Sequence, residues 1–241
     1  MLPAFNQFLP AALLILATAL LAACGGGASR ECTSKQETVA ASPTASTTPA
    51  ETVPKIVAFG DSLTAGYGLA PQESYPALLQ KLIDADGFKY EVVNAGVSGD
   101  TSAGGVRRID WSLDAGGVRF VILELGANDF LRGQPVAETR KNLSDIIKRS
   151  RSRGAQVLLA GMLTTTESGR DYEVEIRDAF KSLAAENDII LIPFFLEGVA
   201  GIDRLNQQDR IHPNAEGTKL VAATVYRHLK PLLEKEQGRK P

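Results

Sequence analysis

The chain has 241 residues, 44% hydrophobic and 22% charged, enough for one well-buried domain and too few for two large ones. A formal net charge of -2, with no long Lys/Arg run after residue 54, excludes a global basic field, so nucleic acid is not an expected partner. Both cysteines, Cys24 and Cys32, precede residue 55, which leaves the domain expected beyond that point without a disulfide or a cysteine-based metal site.

In chain order, residues 11–23 form an apolar run of export-signal length, shorter than the roughly 20 residues that span a bilayer. Residues 1–23 therefore read as a signal, although they hold no Lys or Arg and so lack the usual positive start. Leu21-Ala22-Ala23-Cys24 resembles the lipobox of bacterial lipoproteins. That resemblance implies acylation of the Cys24 thiol, with Cys24 as the mature first residue and the membrane as a partner through the lipid. Gly25, where an inner-membrane retention signal would place Asp, favours the outer membrane. Residues 25–54 are Gly, Ser, Thr, Ala and Pro with almost no large apolar side chain, a composition that cannot offset its chain entropy and reads as a tether. Cys32 within it is assigned no role. The expected layout is a signal at 1–23, a lipidated tether at 24–54, one domain at 55–235 and a frayed tail at 236–241.

Within the domain, short β-rich apolar runs at 55–59, 90–94, 120–125, 156–161 and 189–192 alternate with segments of helical period at 75–85, 102–113, 136–153 and 171–187. A last helix is expected over 213–233, with Pro213 suited to its first position. Runs such as Val121-Ile122-Leu123 are apolar without alternation, as strands buried on both faces require. The expected fold is α/β: a five-stranded parallel sheet in a three-layer α/β/α sandwich. In such sheets the ligand crevice lies beyond the carboxyl ends of the strands.

Four loops fall at that position. Gly60-Asp61-Ser62-Leu63 follows the first strand and offers a hydroxyl, and Asn94 to Asp100 follows the second with glycines that let backbone N–H groups approach a ligand. Gly126-Ala127-Asn128-Asp129 follows the third and offers a carboxamide, and Asp209-Arg210-Ile211-His212-Pro213 lies near the chain end. Acyl transfer needs a nucleophile, a base, a group fixing the base's tautomer, and donors for the developing oxyanion. Asp209 and His212 are three apart, so one helical turn would bring them to the same side. Of the two histidines, His228 sits mid-helix without an acidic partner in a loop, leaving His212 as the base. Asp61, Asp100 and Asp129 read as turn organisers, and Arg107, Arg108, Arg132 and Arg170 as solvated surface charge. Segments 130–135 and 162–169 are expected to shape an acyl pocket, with Gly133 allowing the first to flex.

Phe59 to Gly68, Asn94 to Thr101, Glu124 to Asp129 and Asp209 to Pro213 together resemble the four blocks of the SGNH/GDSL hydrolases, over nearly the whole domain, and most resemble the bacterial periplasmic members with arylesterase, acyl-CoA thioesterase and lysophospholipase activity. The resemblance implies a flavodoxin-like fold, Ser62 as nucleophile, Asp209 and His212 completing a triad, and an oxyanion hole formed by the Ser62 amide, Gly99 and Asn128. No cofactor and no metal are expected. The substrates would be small esters, thioesters or lysophospholipids, and a monomer is the expectation. G-x-S-x-G is absent around Ser62, so this is not an ordinary α/β-hydrolase.

Two other readings use the same residues differently. A carbohydrate O-acetyl esterase of the cell envelope would keep the triad and change the pocket. A non-catalytic envelope-binding module would have no need to keep an activated Ser beside its base. Nucleotide binding is weaker still, since neither G-x-G-x-x-G after the first strand nor G-x-x-x-x-G-K-[ST] occurs.

Overall fold

The computed structural model describes residues 53–114, 116–163 and 169–238. The expected signal, the tether up to residue 52 with Cys24 and Cys32, and most of loop 162–169 lie outside the described residues.

Five parallel strands form one sheet in the order β2-β1-β3-β4-β5: β1 Lys55–Gly60, β2 Glu91–Gly96, β3 Val118–Glu124, β4 Gln156–Ala160 and β5 Ile190–Ile192. The central strands are apolar on both sides because helices cover both. Ile56 to Phe59 and Phe120 to Leu123 are fully buried, and Phe59 pairs in register with Ala95 on one side and Leu123 on the other.

The long helices are α2 Tyr75–Ala85, α3 Ser102–Leu113, α5 Val136–Ser152, α6 Arg170–Asn187 and α7 Ala215–Gln237. Helix α2 packs against α7, and α5 packs against α3 and α6, which completes the three-layer sandwich. Each inward stripe follows helical spacing. In α2, Tyr75, Leu79 and Ile83 are buried at i, i+4 and i+8, and the two aliphatic side chains contribute roughly 1.5–3 kcal/mol each. In α5 the stripe is Val136, Thr139, Leu143, Ile146, Ile147 and Ser150.

Two short helices were not expected: α1 Ser62–Ala65 and α4 Ala127–Leu131, each too brief for a hydrophobic period to register. The start of the last helix also differs. Pro213 pairs in an isolated bridge with Asn206, and the Asn214 side chain caps α7 by accepting the N–H groups of Glu216 and Gly217. At its far end α7 runs to Gln237 through Pro231, beyond the expected 233.

The strand order reverses between β1 and β3, so the crevice opens where these two strands end. Gly60 closes β1 there. A Cβ on it would stand 2.0 Å from Thr64 Oγ1 and 2.6 Å from the Glu124 carbonyl oxygen, so only glycine lets the chain turn this tightly against β3.

Candidate active site

Ser62 is the first residue of α1, directly after β1. Asp61 caps that helix through its Oδ1, which accepts the Leu63 N–H at 3.0 Å, and Gly66 ends it in a left-handed conformation. Beneath the helix, Glu124 Oε2 accepts the Thr64 hydroxyl at 2.7 Å and the Asp61 N–H at 3.2 Å. Glu124 is fully buried, and desolvation, with the nearby Asp61 carboxylate, drives its pKa far above the ordinary carboxylate range. Asp61 is 1% exposed. Its desolvation outweighs the Leu63 and Asn128 hydrogen bonds and lifts its pKa to about 6.

His212 Nε2 stands 2.8 Å from Ser62 Oγ, and His212 Nδ1 stands 2.7 Å from Asp209 Oδ2. The three side chains thus form one hydrogen-bonded line with the imidazole in the middle. The expected helical turn between Asp209 and His212 is absent. Instead, Asp209 Oδ1 accepts the N–H groups of Ile211 and His212 at 2.9 and 3.0 Å, while Arg210 takes a left-handed φ of 60°. That conformation costs a non-glycine residue roughly 1–2 kcal/mol, offset here by the two carboxylate-accepted bonds. A three-residue gap brings Asp and His together in a carboxylate-bridged turn as readily as in a helix. Desolvation works to raise the Asp209 pKa, but the His212 N–H, its imidazole and the Ile211 N–H bring it down to about 2, so Asp209 is an anion at neutral pH.

The imidazole is buttressed from the other side. Tyr67 packs on it with ring centroids 4.8 Å apart, and Gln207 donates from Nε2 to the carbonyls of Tyr67 and Pro213 at 2.7 and 3.0 Å. The Gln207 N–H also donates to the His212 carbonyl at 2.8 Å. Gln207 was missed in the sequence because it lies outside every recognisable motif.

Asn128, in α4, donates from Nδ2 to Asp61 Oδ2 and to the Asp100 carbonyl, both at 2.9 Å, and so stands beside the Ser62 turn. Gly99 sits in the adjoining loop with a left-handed φ of 80°. Asp129 faces away from the crevice. Its carboxylate accepts the Ser102 N–H at 2.8 Å and hydroxyl at 2.6 Å, anchoring the start of α3.

Arg108 departs from the expected surface charge. Its Nε donates to Asp100 Oδ2 at 2.6 Å, Nη1 and Nη2 donate to the carbonyls of Ala95 and Gly60 at 2.7 Å each, and its guanidinium lies 3.9 Å from the Phe59 ring centroid. One cation therefore ties the ends of β1 and β2 to the loop bearing Gly99. Nothing in the local sequence distinguishes it from its exposed neighbour Arg107, because two of its three partners are backbone carbonyls. His228 Nδ1 meets the Thr224 carbonyl of its own helix at 2.9 Å. Among the described residues no group of three or more His, Cys, Asp or Glu side chains is placed to hold a metal ion.

Residues 58–220 match the GDSL-like lipase/acylhydrolase family. The chain is 39% identical over 178 residues to esterase TesA of Pseudomonas aeruginosa, covering 74% of this chain and 89% of that one. It is 36% identical over 178 residues to thioesterase 1/protease 1/lysophospholipase L1 of Escherichia coli strain K12, covering 74% and 84%. A crystal structure of TesA superposes with a TM-score of 0.72 at 39% identity, covering 74% of this chain and 99% of that one. With these matches spanning the sheet and all four crevice loops, the chain belongs to the GDSL-like lipase/acylhydrolase family and is an ester hydrolase of the SGNH/GDSL type.

Proposed function

We propose that the chain hydrolyses carboxylic esters, lysophospholipids among them, and thioesters, through an acyl-enzyme on Ser62. The observation that carries this reading is the line Ser62 Oγ–His212 Nε2, 2.8 Å, and His212 Nδ1–Asp209 Oδ2, 2.7 Å. Ser62 Oγ attacks the carbonyl carbon and passes its proton to His212 Nε2, while Asp209 holds the Nδ1–H and stabilises the imidazolium. The oxygen of the tetrahedral intermediate accepts N–H bonds from Ser62, Gly99 and Asn128. Collapse expels the alcohol or thiol, which takes the proton from His212. Water, deprotonated by His212, then attacks the acyl group and frees Ser62. The names of the Pseudomonas and Escherichia relatives support ester, thioester and lysophospholipid substrates. Tyr67, Val97, Leu131 and Ile211 are exposed apolar side chains on the crevice loops and suit an acyl chain.

The test is hydrolysis of p-nitrophenyl esters from acetate to palmitate by wild type and Ser62→Ala. Turnover peaking at medium chains and lost by about 10⁴-fold or more in the variant is expected. Undiminished turnover in Ser62→Ala overturns the assignment. On the N-terminal side, residues 1–23 direct export and Cys24 carries the lipid that tethers a periplasmic domain to the outer membrane. Cys24→Ser is expected to move the protein from the membrane to the soluble fraction, and retention with the membrane overturns the anchor.

A further inference from the structure

The Asn128 carboxamide has two N–H groups, and both are engaged inside the protein: one by Asp61 Oδ2, the other by the Asp100 carbonyl, each at 2.9 Å. A donor whose hydrogens are both occupied can serve a substrate oxygen only by releasing or sharing one. The two acceptors differ in kind. The Asp100 carbonyl is a neutral oxygen at the edge of the Gly99 loop. Asp61 is almost wholly buried, with its other oxygen on the Leu63 N–H of the turn that carries Ser62 and its own N–H on Glu124 at the end of β3, so it is fixed to both. Hydrogen bonds to a carboxylate are roughly twice as strong as those between neutral partners.

We propose that Asp61 is a positioning residue for the reaction: it keeps its hold on one Asn128 N–H throughout, while the other passes from the Asp100 carbonyl to the substrate oxygen as the tetrahedral intermediate forms. No covalent bond changes beyond those of acyl transfer; one hydrogen bond is exchanged for another with a more negative acceptor. Asp61 thereby ties the oxyanion donor and the nucleophile to one carboxylate, so that neither drifts relative to the other. With its pKa lifted to about 6, Asp61 is a carboxylate at neutral pH and weakens as an acceptor below that point.

The inference rests on Asn128 being an oxyanion donor, and the test separates the two. Steady-state kinetics on one p-nitrophenyl ester are compared for wild type, Asn128→Ala, Asp61→Ser and the double variant. Serine at 61 retains a hydroxyl able to cap α1 but is too short to reach Asn128. Asn128→Ala is expected to lower kcat about a hundredfold, as loss of one oxyanion donor does. Asp61→Ser is expected to lower kcat about tenfold with KM little changed, and to add nothing in the Asn128→Ala background. Full turnover in Asn128→Ala overturns both the oxyanion role and the inference. Losses that multiply in the double variant leave Asn128 its role and overturn the inference alone. If Asp61→Ser does not fold, Asp61→Asn makes the same comparison, because an asparagine whose oxygen caps Leu63 turns its own NH2 against that of Asn128. The acid side of the kcat profile supplies a readout that mere packing would not move: two protons should govern it in wild type and one in Asp61→Asn, and identical profiles overturn the inference.

Discussion

The two halves of the site are held by different physics. On the Ser62 side, position comes from the sheet: β1 and β3 end side by side, Gly60 leaves no room for a Cβ, and buried Asp61, Thr64, Glu124 and the nearby Arg108 fix the turn through long-range hydrogen bonds. On the His212 side, position is mostly local: one Asp209 carboxylate organises the turn and the imidazole together, and its side chain remains 37% exposed. Ser62 is placed by tertiary burial and His212 by a short turn. Damage to the first should therefore appear in stability as well as rate, and damage to the second in rate almost alone.

The largest expected effect tests the second half. Asp209→Asn can keep the turn, since its oxygen still accepts the Ile211 and His212 N–H groups, but it presents NH2 to His212 Nδ1 and favours the wrong tautomer. Turnover is expected to fall about 10⁴-fold while the melting temperature moves little. A large fall in melting temperature would show that the turn depends on more than its oxygen. Next, Gly60→Ala forces a methyl against Thr64 and Glu124, and denaturant unfolding should record a loss of about 2–3 kcal/mol. Unchanged stability there would mean that the Ser62 turn is less tightly held than its contacts imply.

A subtler effect is pH-dependent. Asp61 has its pKa raised from 3.8 to about 6 in the folded chain, so the folded state binds more protons than the unfolded one between those values. Its contribution is therefore fully present below about pH 4 and is lost as pH rises through 6. Unfolding curves at several pH values should show wild type losing stability relative to Asp61→Asn over that window, and parallel curves would refute the shift. The smallest effect belongs to the other histidine. His228→Gln, at a residue whose ring bonds a carbonyl of its own helix, is expected to leave turnover within about twofold, and a loss comparable with that of a His212 variant would undo the assignment of the base.

Much of this was legible in the sequence. Short unbroken apolar runs placed the five strands and period-3.6 patterns the five long helices, with α2 and α3 matching their expected bounds, because core burial imposes its spacing directly on the chain. The Ser62, Gly99 and Asn128 segments stood out as loops after buried strands and Asp209–His212 by its spacing near the chain end, while the choice of Gly99 within its loop came from the resemblance to the SGNH/GDSL hydrolases. Helices α1 and α4 were not, since four or five residues are too few to show a period.

The sequence by itself thus determined the α/β class, the order of the elements and the residue types available for acyl transfer, all properties that local spacing and composition carry. Only the tertiary structure decided that Arg108 is a clamp rather than surface charge, that Glu124 is a buried acid beneath the Ser62 turn, and that Asp61 and Asn128 meet across 67 residues of chain. Contacts of that kind depend on where strands lie in the sheet and on backbone carbonyls that no residue name reveals. They are set by the packing of the whole domain and not by any segment of it.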